Sequence, residues 1–363
     1  MNRTLLNRTL AILAGAVVAG SLVAAKAAPL DPSDIAAGAK WFVHVDFDAA
    51  RASKVGERIH EEALKHEQVK TALAKIQNEL GLDLEKDLHG ATLYGTSFTP
   101  HNGVLIVFAT ADKAKFMAHL KAKPDFMALK TEDGERTLYT WTEKMGHKPA
   151  GAKKAPAEQK GIPARKDGAA KSAGPMDRAK MMQHFVAGEH QHTVWAAFPK
   201  SGVGVFADSP AGLKAALDVL GGKGGLSASS PLLPKAPKGT VFTFVATGLN
   251  ALPVPAQIPL LKQLDSISSV SGESDGEVFK HDRITMTNAD TVKQLKSVVD
   301  GLIAMAELRF ADQPELLTIL KGVKVEADGK TLTADSKVSS DDLIKFGEKV
   351  CEFIKKHHQE WKR

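Results

Sequence analysis

Alternation of apolar and polar residues sets the outline of this chain. Residues 41–47 read Trp-Phe-Val-His-Val-Asp-Phe and predict a half-buried strand. A polar stretch with helical spacing covers 50–80. Strands follow at 91–94 and 104–109, then a helix opens at Asp112, a good N-cap residue, and runs to about 121. Residues 137–143 and 192–198 predict the arms of a hairpin, 203–206 another strand and 210–220 a helix. The order then recurs. Strand 241–246 leads, with a short helical stretch at 258–264 and strands at 266–271 and 277–287. A helix runs from Asp290 to about 308, a hairpin turns at Asp328-Gly329, and a helix at 340–356 closes the chain.

The recurrence predicts a divergent tandem duplication. Ala111-Asp112 and Ala289-Asp290 both precede the middle helix of their unit. Ala207-Asp208-Ser209 and Ala334-Asp335-Ser336 both leave its last strand. The expected fold class is α+β, with two similar units, each a mostly antiparallel sheet with helices on one face. The first unit covers 28–143 and is completed by 184–230. A linker at 231–239, punctuated by Pro231, Pro234, Pro237 and Gly239, leads to the second unit at 240–363. The groove between the units is the expected contact surface.

Two segments depart from the pattern. Residues 1–27 carry Arg3 and Arg8, a short apolar run from Leu10 to Ala25, and the small-x-small site Ala25-Lys26-Ala27. They read as a cleaved signal peptide, which places the protein in the periplasm or outside the cell. No later run is long and apolar enough to predict a membrane-spanning helix. Residues 144–183 are rich in Lys, Ala, Pro and Gly with few large apolar side chains, and predict a disordered insert that expands the 137–143/192–198 hairpin.

Charge follows these segments. The chain carries +6 overall, of which +3 sits in 1–27 and +7 in 144–183, leaving −4 on the remainder. A mildly acidic body argues against specific nucleic-acid binding, whereas the basic insert suits an anionic envelope surface. Cys351 is the only cysteine, which excludes an intramolecular disulfide framework; its place in the last helix predicts a small core residue facing the sheet.

Candidate chemistry is sparse. In a continuing strand, His44, Asp46 and Asp48 would share one face, opposite Val43, Val45 and Phe47, and an imidazole with two carboxylates can hold Zn²⁺ or Mn²⁺. The competing reading is a solvated strand face, with Asp48 capping the next helix. His190 and His192 form a second pair that could bind a metal if the strand already begins there. Gly221–Gly225 lacks the Lys-Ser/Thr ending of a phosphate loop. There is no His-Glu-x-x-His, Ser-x-x-Lys or Cys-x-x-Cys-His.

Together with the signal, the 41–48 strand, Leu88-His89-Gly90-Ala91-Thr92-Leu93-Tyr94-Gly95, and the 332–338 strand leading into Asp341-Asp342-Leu343-Ile344 carry a resemblance. The chain resembles a group of uncharacterised exported proteins of planctomycete-type bacteria. The resemblance implies export and a repeated α+β build, and no activity. The expectation is an exported, non-enzymatic protein with a binding or structural role in the periplasm or envelope. The alternative is a metal-binding protein or metal-dependent enzyme using His44, Asp46 and Asp48.

Overall fold

The computed structural model describes residues 29–99, 102–131, 134–145, 190–252 and 259–360. The predicted signal segment and nearly all of the predicted insert lie outside them. The fold is α+β, built, among the described residues, on one sheet of twelve strands: β1 (Trp41–Asp46), β2 (Leu88–Gly95), β3 (Gly103–Ala109), β4 (Met127–Lys130), β5 (Thr137–Met145), β6 (His190–Lys200), β7 (Val203–Ala207), β8 (Thr240–Thr247), β9 (Leu264–Ser274), β10 (Glu277–Met286), β11 (Val323–Asp328) and β12 (Thr331–Ser339). Their spatial order is β11-β12-β10-β9-β8-β1-β2-β3-β7-β6-β5-β4, and every neighbouring pair is antiparallel.

Eight α-helices accompany the sheet among the described residues: α1 (Phe47–Ala52), α2 (Lys54–Leu64), α3 (Glu67–Leu80), α4 (Lys113–Lys121), α5 (Pro210–Leu220), α6 (Ala289–Arg309), α7 (Pro314–Lys321) and α8 (Ser340–Glu360). Local chemistry sets several boundaries. Asp112 accepts from the N–H groups of Ala114 and Lys115 to start α4, and Ser209 accepts from Gly212 to start α5, with Pro210 in the first turn. Gly81 ends α3 in the left-handed conformation at φ 67°.

Outward from the centre the halves run β1-β2-β3-β7-β6 and β8-β9-β10-β12-β11, and the first half adds β5 and β4. They meet at a ladder, Trp41↔Ala246 to Val45↔Phe242, where an open groove between units was expected. Glu273 of β9 reinforces the joint: its carboxylate accepts from the backbone N–H groups of Lys54 and Val55, both at 3.0 Å, at the start of α2. Arg58 of α2 pairs with Glu348 of α8 at 2.7 Å.

The first half is covered on both faces, more fully than the expected one-sided cover. On one face Leu105, Val107, Phe206 and Ala196 pack with Leu80, Phe116 and Leu120 of α3 and α4. On the other, Phe42, Tyr94, Ile106 and Val205 pack with Leu213 and Leu217 of α5. This explains β7, whose five residues are all buried. The second half has a smaller cluster, in which Val292 and Leu295 of α6 meet Met286, Leu332, Ile284 and Val325.

Tyr94 lies in the larger core and is almost fully covered. Burial, then the charge of Asp34, pushes its phenol from 10.0 up to about 12. A phenol that ionises later in the folded chain than in the unfolded one contributes stability that is present below pH 10 and lost as the pH rises towards 12. Across that window the native chain should lose about 2 kcal/mol more than a Tyr94→Phe variant. Urea midpoints taken below, within and above the window check this.

Candidate functional site

The predicted metal cluster is built differently from its expected form. β1 ends at Asp46 and α1 begins at Phe47, so strand alternation stops before Asp48. Asp46, and not Asp48, is the helix cap, its Oδ1 accepting from Ala49 N at 2.8 Å. His44 and Asp46 lie on the buried side of β1, not on a solvated face. His44 sits between its cross-strand neighbours Thr92 and Thr243, both buried, with Nδ1 2.8 Å from Thr92 Oγ1. Asp48 turns instead to Arg51 and to His89, whose Nδ1 lies 3.0 Å from Asp48 Oδ2. The three residues therefore serve three separate local structures.

The second candidate pair is divided as well. The strand does begin at His190, whose side chain lies outside the described residues, while His192 pairs with Asp208. Among the described residues no group of three His, Cys, Asp or Glu side chains is arranged to hold a metal ion. Cys351 is exposed and not a core residue, because residues 347–352 of α8 all lie at the surface.

The feature that stands out is apolar. In α6 only Thr291 and Val292, in the first turn, are buried. Further along, Val298, Leu302, Met305 and Leu308 are 58, 55, 61 and 80% exposed. Val298, Leu302 and Met305 follow i, i+4, i+7 spacing and make one stripe, and Leu308 continues its edge three residues on. Arg309 lies on the same stripe at its end. Lys293, Lys296, Asp300 and Glu307 lie on the opposite side of the helix by the same 100° geometry. Leu302, Met305, Ala306, Leu308, Arg309 and Phe310 line a shallow hollow at the helix end.

Isolated exposed apolar residues are ordinary, whereas a contiguous apolar stripe is a candidate contact surface. Sequence reasoning identified the helix but not the stripe. The signal was legible as the 298-302-305 spacing, yet nothing along the chain says that this side faces outward.

No family model and no curated protein matches this chain. Among solved structures it is similar to three crystal forms of TP0453, a Treponema protein. Form III gives a TM-score of 0.41 at 11% identity over 88% of this chain and 98% of the other. Form IV gives 0.40 at 12% over 89% and 98%, and form I gives 0.40 at 11% over 88% and 97%. At that distance the likeness carries no statement about what this chain binds.

Proposed function

We propose that this is an exported protein that docks peripherally on an anionic lipid surface of the cell envelope. The apolar stripe of α6 enters the interface, and the basic 144–183 segment supplies attraction. The observation that carries the reading is the exposure of Val298, Leu302, Met305 and Leu308 on one side of a single helix. A helix with an apolar stripe and a charged opposite side can lie in the headgroup boundary, with an arginine at the rim reaching the headgroups. No helix among the described residues is long and apolar enough to cross a membrane, so the contact proposed is a surface one. The +7 of residues 144–183 complements an anionic leaflet, where each nearby Lys or Arg contributes about 1 kcal/mol.

Vesicle co-sedimentation tests this, with native and variant chains compared in the same processing state. Binding to phosphatidylglycerol-containing vesicles should fall about tenfold or more in a Leu302→Asp/Met305→Asp variant, which replaces two apolar contacts with charges; tenfold is about 1.4 kcal/mol. Deleting residues 150–180 should weaken binding and flatten its salt dependence. Unchanged binding by the double variant would overturn the proposal. So would a stable dimer of the native chain that the double variant abolishes, because the stripe would then be covered by a second copy.

A further inference from the structure

β2 is irregular at one point. Leu88 pairs with Ala109 and Gly90 with Phe108, so His89 is the extra residue of a β-bulge, a device that re-aims a side chain. The ring is aimed between two partners. Nδ1 lies 3.0 Å from Asp48 Oδ2 and 3.1 Å from Oδ1, and Nε2 lies 3.0 Å from Thr110 Oγ1. A carboxylate only accepts, so Nδ1 donates to Asp48. In the neutral ring Nε2 then accepts from the Thr110 hydroxyl. Arg51 holds the far side of the arrangement, pairing with Asp48 and donating to the Leu88 carbonyl at 2.8 Å. Thr110 is anchored by its N–H to the Asp87 carbonyl at 2.7 Å, and it lies at the surface. The side chains of His89 and Asp48 are only 12% and 24% exposed, so the line runs from a covered carboxylate to an open hydroxyl.

We propose that Asp48, His89 and Thr110 form a hydroxyl-activating relay through which Thr110 accepts the acyl group of an activated carboxylic ester. The order of carboxylate, imidazole and hydroxyl is the one in which an imidazole works as general base for a nucleophilic oxygen. Thr110 Oγ attacks the carbonyl carbon while its proton passes to His89 Nε2. The ester C–O bond breaks as the tetrahedral intermediate collapses, and the departing alcohol takes that proton. Water, deprotonated by the same Nε2, then cleaves the acyl-Thr110 ester to a carboxylic acid and restores the hydroxyl. Asp48 is a positioning residue that fixes the ring's tautomer. This site stands apart from the α6 stripe and does not depend on it.

p-Nitrophenyl acetate is the probe, and peptide mass mapping is the readout. One acetyl group is expected on the peptide containing Thr110, removed by hydroxylamine as an ester would be and unlike a lysine amide. His89→Gln should slow this labelling about 100-fold, Thr110→Val should abolish it, and Thr110→Ser should retain it. Native urea midpoints for Thr110→Val and Thr110→Ser keep the comparison valid even where His89→Gln is destabilised. Acetylation confined to lysines in the native chain, or a Thr110 rate unchanged by His89→Gln, would overturn the proposal.

Discussion

Phe42→Ala should lower the stability of the chain by about 3–5 kcal/mol, among the largest losses available to one substitution. Phe42 is 1% exposed near the start of β1, with Tyr94 and Val245 directly across from it on the two neighbouring strands. Ile35, Ile106, Leu213 and Leu217 belong to the same cluster. Alanine removes the ring and leaves a cavity that β-strands on both sides cannot collapse to fill. Because β1 joins the halves, the loss should appear as a lower urea midpoint for the whole chain with an unchanged slope. A midpoint within error of the native one would show that this core is not continuous across β1.

Gly239→Ala should cost about 3 kcal/mol or more, for a backbone reason. Gly239 has φ +80°, a conformation that a side chain disfavours, and a Cβ there would lie 2.0 Å from the carbonyl oxygen of Glu273. Relief requires the start of β8 to move away from β9. That breaks the bond from Glu273 N to Gly239 O, now 3.0 Å, and shifts the carboxylate that holds α2. Loss of protection at Lys54 and Val55 in hydrogen exchange, together with a reduced midpoint, is the expected result.

Gly239 was legible in the chain as part of the joint, since it follows three prolines. Its contact with β9 was not, because close approach is a property of tertiary register. The same division runs through the molecule. Helix 210–220 is legible from Ser209, Pro210 and the following apolar spacing. The hairpin at Asp328-Gly329 was readable from its turn. Strand β4 was missed because its four residues are all exposed at a sheet edge and carry little pattern. Helix α7 was missed because it is short and leaves no residue buried.

The site residues show why alternation alone misleads. It separates Phe42, His44 and Asp46 from Val43 and Val45, but does not say which set is inside. Polar identity pointed outward for His44, whereas threonines on both neighbouring strands make room for it within the core. The spacing groups Asp48 with His44 and Asp46, whereas its partner in the fold is His89. A bulge leaves no trace in composition, and Asp48 and His89 are 41 residues apart.

If the apolar side of α6 enters the headgroup boundary, its depth in the bilayer can be measured. In a Cys351→Ser background, a bimane label would be placed at Met305→Cys on the stripe, or at Lys293→Cys on the opposite side of α6. Anionic vesicles with acyl chains brominated near the headgroup would then be added. Docking through the stripe should give strong quenching at position 305 and little at 293. Equal quenching at both positions, or none at 305 while the protein still sediments with the vesicles, would contradict it.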